Sequence, residues 1–116
     1  MFGFNEAAAL YARIGQRGGR PAFAREGVRF MCRSEPAWIH RMGGSAIENV
    51  ADTRIFAEAM DAARERFDPR PGDRIALDGR YYRIAEVQPM RGWCGIHHLE
   101  ILARDEGPAD RMNNNA

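Results

Sequence analysis

The pattern of apolar and polar positions predicts a short helix at the start of the chain. Residues 5–14 place apolar side chains at helical spacing, with Asn5 as the N-cap and Gly15 after the last turn. The apolar stripe consists of Ala7, Leu10, Tyr11 and Ile14. A helix of this length is marginal alone and needs its own domain or a neighbouring subunit to pack against. Residues 16–27 are rich in glycine and contain Pro21, which predicts a linker.

The middle of the chain has a less decisive pattern. Residues 28–33 alternate, with Val28, Phe30 and Cys32 on one face, and predict a first strand. Residues 34–45 contain Pro36 and paired glycines, which predicts a long loop or a hairpin excursion. Strands are expected over residues 46–50 and 53–60, with a short helix over residues 61–67. A single helix over residues 53–67 is the alternative, because the apolar residues there also fit a period of 3.6.

The C-terminal half has clear hairpin signals. Residues 73–78 predict a strand with Ile75 and Leu77 facing inward, ended by an Asp78-Gly79 turn. The return strand, residues 80–89, needs a bulge near residues 85–86 to keep its apolar side chains on one side. Residues 96–104 predict the last strand, with Leu99, Ile101 and Ala103 on the core face. Residues 105–116 have no core-forming pattern and predict a flexible tail.

These elements together predict a mainly β (α+β) fold, a small antiparallel barrel or sandwich. All 116 residues are expected to form one domain. Residues 1–27 would supply the N-terminal helix and linker, residues 28–104 the barrel core, and residues 105–116 the tail. The 45% hydrophobic and 28% charged residues are ordinary for a globular chain.

Charge is unevenly distributed. All 17 basic residues are arginine, and the net charge is +1. Residues 1–33 carry six arginines against two acids, and the remaining residues carry 11 arginines against 14 acids. Oppositely charged ends suit head-to-tail contacts between copies, although a coding bias towards arginine explains the asymmetry equally well. No apolar run approaches the roughly 20 residues of a membrane span, and Glu6 without an early cation argues against a secretion signal.

Candidate catalytic or metal-binding groups do not form a recognisable pattern. His97 and His98 are adjacent in a predicted strand and therefore point to opposite faces. Cys32 and Cys94 are expected to be reduced apolar fillers. No serine lies in a strand–turn–helix elbow, and no glycine-rich phosphate loop follows a strand. We therefore expect no enzyme, no metal and no cofactor.

A second hypothesis is binding of single-stranded nucleic acid, because small barrels use arginines and aromatic residues for that purpose. The candidate face consists of Arg80, Tyr81, Arg83, Arg91 and Trp93. The near-zero net charge argues against such binding.

The segment RPGDRIALDGRYYRIAEVQPMRGWCGIHHLEILARD, residues 70–105, resembles the C-terminal half of small phage head–tail joining proteins. The shared features are a Gly-Asp turn, a tight turn, an aromatic and aliphatic strand, a glycine-containing loop and a last strand. In this chain they are Gly72-Asp73, Asp78-Gly79, Tyr82 with Ile84 and Val87, Gly95, and His98-Leu99 with Ile101 and Arg104. The family includes lambda-like joining proteins and the stopper and adaptor connectors of prophages and gene transfer agents.

The resemblance implies a virion structural protein, made in the bacterial host cytoplasm and located at the head–tail interface. Such proteins form a ring of about six or twelve copies on the portal vertex, contact portal or adaptor and tail-side proteins, and extend the DNA channel. DNA only passes through the channel, and no membrane is involved. The alternative is a small barrel that binds nucleic acid or serves as an assembly module in another complex. The candidate interface residues are Trp38, Ile39, His40, Arg41, Met42, Arg91, Trp93, Asp105 and Arg111.

Overall fold

The computed structural model describes residues 4–43, 46–58, 67–92 and 95–109, and most of these residues lie in β-strands. The strands are β1 (Glu6–Tyr11), β2 (Arg13–Arg17), β3 (Arg20–Phe23), β4 (Val28–Gly43), β5 (Ala46–Glu58), β6 (Arg74–Leu77), β7 (Arg80–Gly92) and β8 (Gly95–Pro108). The prediction of a mainly β fold is confirmed.

Six of the strands form one antiparallel sheet in the order β1-β4-β5-β8-β7-β6. Ala8 of β1 lies opposite Phe30 of β4 on one side and opposite Leu77 of β6 on the other. Because β1 has a neighbour on each side, the sheet closes on itself. Strands β2 and β3 form a separate two-stranded sheet.

The interior is filled by aliphatic side chains from all six strands of the closed sheet. Ile55, Ile75 and Ile101 are fully buried, each contributing roughly 2 kcal/mol through the hydrophobic effect. Phe67 packs on Phe30 with ring centroids 4.7 Å apart. The other buried members of this core are Ala8, Leu10, Cys32, Ala57, Leu77, Ile84, Leu99 and Ala103.

The N-terminal helix predicted over residues 5–14 is wrong, because strands β1 and β2 occupy this segment. Ala8 and Leu10 of β1 are buried in alternation with half-buried neighbours, which is the period of a strand. The apolar residues of the predicted helix do not share one buried face, since Leu10 is buried whereas Ile14 is 67% exposed. Backbone pairing with both β4 and β6 overrides the high helix propensity of the three consecutive alanines.

The linker predicted over residues 16–27 contains most of the β2–β3 hairpin instead. Gly18 and Gly19 both have positive φ, at 61° and 77°. Two consecutive residues of this conformation form the tight turn that suits a twisted two-stranded hairpin. The glycines that suggested a linker are the turn of a hairpin.

Of the two alternatives for residues 34–45, the long loop is wrong and the hairpin agrees with the structure, because β4 continues to Gly43 and pairs with β5. Pro36 pairs with Thr53 next to an irregularity in the β4–β5 register. Proline lacks the N–H that a regular ladder uses, so a break in register accommodates it.

Residues 46–50 and 53–58, predicted as parts of two strands, belong to the single strand β5. Ile55 and Ala57 are buried while Arg54 and Phe56 between them are half-buried, so the alternative of one helix over residues 53–67 fails for this part. Most of the predicted short helix, residues 61–66, lies outside the described residues.

The C-terminal hairpin predictions are confirmed. Asp78 and Gly79 form the β6–β7 turn, with φ of 51° and 74°. The register shifts between Ile84 and Glu86, where the bulge is expected, and Tyr82 and Val87 pack against the core. The predicted tail is corrected at its start, because β8 runs to Pro108 instead of ending at Arg104. Residues 110–116 lie outside the described residues.

Candidate interaction surfaces

The longest projecting element is a two-stranded ribbon at one end of the sheet. We call it the β4–β5 ribbon, residues 36–43 and 46–53. In the described part of the chain, pairing of β4 with β1 ends at Cys32, and pairing of β5 with β8 ends at Thr53. At the base of the ribbon, the Glu6 carboxylate accepts hydrogen bonds from the Ser34 backbone N–H (2.7 Å) and hydroxyl (3.0 Å).

The β4–β5 ribbon carries five of the interface candidates on β4. Trp38 is 70% exposed, His40 is exposed and Ile39 is half-buried. Arg41 and Met42 pair with Glu48 and Ile47 through the backbone, and their side chains lie outside the description. Because its side chain is exposed, Trp38 does not fold back over the end of the closed sheet. Exposed aromatic residues are typical anchors of protein interfaces.

A second projection, the β7–β8 tip, leaves the opposite end of the sheet. In the described part of the chain, its backbone pairing continues past His98, where pairing of β8 with β5 ends, to Gly92 opposite Gly95. Arg91 pairs with Ile96 here. The side chain of Arg91, and Trp93 altogether, lie outside the description, so their interface roles stay predictions.

Of the two remaining candidates, Asp105 lies beside the base of the β4–β5 ribbon, where its N–H donates a hydrogen bond to Asp52. Asp105 lies on β8, where its Oδ2 accepts a 2.9 Å hydrogen bond from Arg80 Nε and its Oδ1 accepts one from the Gly107 N–H. Arg111 lies outside the described residues. The structure therefore distributes the candidates that it describes over separate places.

The outer face of β6, β7 and β8 carries a network that the sequence did not indicate. We call it the outer wall. The Arg74 guanidinium lies 4.1 Å from the centroid of the Phe23 ring and 4.5 Å from that of Tyr81. Arg83 contacts the same Phe23 ring at 4.8 Å, and both arginines form ion pairs with Glu106. These stacked contacts attach the β2–β3 hairpin to the sheet.

The outer wall changes the interpretation of the proposed nucleic-acid face. Tyr81 is only 9% exposed, and Arg83 is held by Phe23 and Glu106. Arg80 is held by Asp105. A stacking surface for bases needs open rings and available cations. These three residues instead form structural contacts within the chain.

The arginines of the β2–β3 hairpin are exposed, unlike Arg74 and Arg83 of the outer wall. Every residue of β2 is exposed, and the arginines of the hairpin and the turn after it project from its surface. These arginines are Arg13, Arg17, Arg20 and Arg25. No ion pair of their guanidinium groups is found among the residues that the structure describes. We call this element the arginine hairpin.

The base of the arginine hairpin is fixed by a buried carboxylate. Asp73 is 6% exposed, and its Oδ1 and Oδ2 accept hydrogen bonds from the backbone N–H groups of Arg13 (2.9 Å) and Arg70 (3.0 Å). Its own backbone carbonyl accepts from the Ile84 N–H. Asp73, a residue of the Gly-Asp turn, therefore has a structural role, which is to hold the hairpin base against residues 70–73.

Carboxylates gather at the end of the sheet opposite the base of the arginine hairpin. Asp78 lies in the β6–β7 turn, and Asp52 accepts hydrogen bonds from the Thr53 hydroxyl (2.9 Å) and the Asp105 N–H (3.0 Å). We call Asp52, Asp78 and Asp105 the acidic rim. Burial raises the pKa of the Tyr82 phenol above its ordinary value, and the negative charge of Asp105 raises it further, with smaller contributions from Asp52 and Asp78.

A cleft of about 370 Å³ lies between the hairpin base and residues 68–73. Its wall includes Leu10 and Val28, and its charged groups include Arg13 and Glu26. The carboxylate of Asp73 in this cleft is already engaged by backbone amides. Across the residues that the structure describes, no group of three or more histidine, cysteine or acidic side chains is placed to hold a metal ion.

No protein-family model matches the chain, and neither a curated protein nor a solved structure matches it significantly. In the described part of the chain, no helix has the length and apolar character needed to cross a bilayer.

Proposed function

We propose that this chain is a non-enzymatic structural subunit of a phage-type head–tail connector. In this proposal, copies form a ring on the portal vertex, extend the DNA channel and join the DNA-filled head to the tail. The resemblance of residues 70–105 to small joining proteins motivates the assignment. The small antiparallel barrel expected for that family agrees with the mainly β architecture of the chain.

The observation that carries the proposal is the pair of projections at opposite ends of the closed sheet. A connector subunit meets different partners on its head side and on its tail side, and it therefore needs two different contact elements. The β4–β5 ribbon and the β7–β8 tip are different in sequence and point away from each other. They leave the sheet between them as a rigid spacer, an arrangement that suits contacts with neighbouring copies and with the layers above and below.

The exposed Trp38 supports the same proposal. Tryptophan is enriched among the residues that anchor protein interfaces, and Trp38 is 70% exposed on a projecting strand. Within the ribbon, Trp38 would anchor contact with the portal or adaptor side or with a tail-side protein.

The alternative of a nucleic-acid-binding barrel receives less support. Tyr81, Arg80 and Arg83, on which it relied, are engaged in contacts within the chain. An assembly module in another complex would use the same projections, and only its location distinguishes it from a connector.

The proposal is tested by imaging particles made with and without the chain. We expect density for a ring of copies between portal and tail, and we expect filled heads without tails to accumulate when the chain is absent. Particles that lack the chain and still join to tails and infect normally would refute the proposal.

A point variant gives a finer test. Trp38→Ala is expected to reduce head–tail joining at least about tenfold while the purified subunit keeps its thermal stability, as expected for an interface anchor. Met31→Ala, a change at an exposed apolar residue of β4 outside the ribbon, is the matched control. Equal joining by both variants and the unchanged protein would exclude Trp38 from the interface.

A further inference from the structure

The arginine hairpin is a cationic surface whose guanidinium groups form no ion pair with the residues that the structure describes. Arg17 and Arg20 flank the glycine turn, and Arg13 and Arg25 lie near its base. In contrast, Arg54, Arg74, Arg80 and Arg83 all form ion pairs with carboxylates. Four exposed guanidinium groups without a carboxylate partner among the described residues repel one another, which a bound anionic surface would relieve.

The hairpin is held in place, so these charges are presented in a defined position. Asp73 holds the Arg13 backbone, and Ala24 donates a 2.8 Å hydrogen bond to the Ala12 carbonyl across the hairpin base. Phe23 is held against Arg74 and Arg83. A preorganised charged element loses less conformational entropy on binding than a flexible tail does.

The complementary surface is on the same chain, at the other end of the sheet. Strand β6 runs from Arg74, beside the hairpin base, to Leu77, after which comes Asp78 of the acidic rim. Of the three rim carboxylates, only that of Asp105 has an ion pair in the described part of the chain, with Arg80. The rim therefore keeps a net negative charge.

We propose that the arginine hairpin of one copy docks on the acidic rim of a second copy. Because the two surfaces lie at opposite ends of the sheet, the contact is head-to-tail, and each copy can give one and receive one. The inference rests on the proposed function, since it names the contact between neighbouring subunits of the ring. Arginine suits this contact because its planar guanidinium group binds carboxylates through two hydrogen bonds.

A second copy fits the hairpin better than duplex DNA does. The six arginines and two acids of residues 1–33 are balanced by the 11 arginines and 14 acids of the rest, so the chain complements itself. DNA binding depends on many phosphate contacts and is favoured by a strong overall positive charge. The net charge here is +1.

The test measures self-association by sedimentation velocity at low and high salt. The unchanged protein is expected to associate at about 0.05 M salt and to dissociate at about 0.5 M, because salt screens exposed charges. Arg17→Glu with Arg20→Glu should weaken association at least about tenfold. Asp52→Asn with Asp78→Asn should do the same, and it keeps the Asp52 amide oxygen as an acceptor and a residue tolerant of positive φ at 78.

Mixing the two double variants gives the sharpest outcome. One variant retains an intact rim and the other an intact hairpin, so together they form one good interface and should give dimers but no longer assemblies. Arg29→Glu, a change at an exposed arginine of β4 outside the hairpin, is the matched control for Arg17→Glu and should leave association unchanged.

Three results would overturn the inference. They are an unchanged protein that stays monomeric at about 1 mM, double variants that associate as the unchanged protein does, and a hairpin variant that loses duplex DNA binding but not self-association. None of these refutes the connector role, which fails if particles without the chain join and infect normally. Conversely, association with the expected charge dependence in a protein absent from particles would refute the connector role alone.

Discussion

The arginine hairpin and the outer wall use the same residue type in opposite ways. On the outer wall, antiparallel register places carboxylates and rings beside each guanidinium, as with Glu106 beside Arg74 and Arg83. On the hairpin, a two-stranded sheet without a third strand supplies no such neighbours. The arginines of the outer wall therefore stabilise the fold, whereas those of the hairpin are available to a partner.

The largest effect is expected at Asp73, which joins the two regions. Asp73→Ala removes a buried carboxylate that accepts from the backbone amides of Arg13 and Arg70, and should lower the free energy of unfolding by about 3 kcal/mol. Chemical denaturation measures this loss, and hydrogen exchange at the Arg13 amide should become faster. Asp68→Ala, at an exposed carboxylate nearby, is the control, with an expected change below about 0.5 kcal/mol. Equal effects of the two substitutions would contradict the structural role of Asp73.

A smaller effect is expected where the outer wall holds the hairpin. Arg74→Met keeps the aliphatic stem but removes the cation over Phe23 and Tyr81, and should cost about 1–2 kcal/mol. A double-mutant cycle with Phe23→Leu should give a coupling energy of about 1 kcal/mol. If the two substitutions change the free energy of unfolding in a strictly additive way, Phe23 is not held by Arg74.

Tyr82 gives a pH-dependent prediction for the acidic rim. Its pKa is raised in the folded protein, so the unfolded chain loses the phenolic proton first as pH rises. The resulting stability is present below the ordinary tyrosine pKa of about 10 and is lost as pH rises through the folded value. The free energy of unfolding, measured by chemical denaturation from pH 9 to about 11.5, should fall more steeply with pH for the unchanged protein than for Tyr82→Phe. An equally steep fall for both proteins would contradict a raised pKa of Tyr82.

The smallest effect is expected for the arginine hairpin itself. Arg17→Glu with Arg20→Glu should change the stability of the monomer by less than about 0.5 kcal/mol, because these side chains have no ion pair in the described part of the chain to lose. Thermal unfolding at high salt, where copies are separated, measures this. A large loss of stability would mean that the hairpin arginines serve the fold, as those of the outer wall do.

Sequence reasoning succeeded where local chemistry decides the structure. The Asp78-Gly79 turn fixes β6 against β7, and the spacing from Ile84 to Val87 requires the observed bulge. It failed at β1, since three alanines favour a helix until β4 and β6 provide pairing partners from distant parts of the chain. Pro36 likewise suggested a loop, although an irregular register allows it in a long strand.

Prediction of the surfaces was also partial. The apolar character of residues 38–42 singled out a segment that does project, and Trp38 is exposed there. Phe23 was missed because its partners, Arg74 and Arg83, are adjacent only through the β6–β7 register. The charge asymmetry was visible in the sequence, but its separation onto two ends of one sheet depends on the topology.

Closure of the sheet by its first strand has a consequence for synthesis. During synthesis β1 leaves the ribosome early. Its backbone pairing cannot be completed until β6 has also emerged, because Leu10 lies opposite both Val28 and Ile75. Until then, β1 can pair with β4 on one side but presents a row of unsatisfied backbone groups on the other, which attract any extended segment nearby. Crowded ribosomes translating the same message would then favour exchange of first strands between neighbouring polypeptides, so slow, dilute expression should improve the yield of correctly closed subunits.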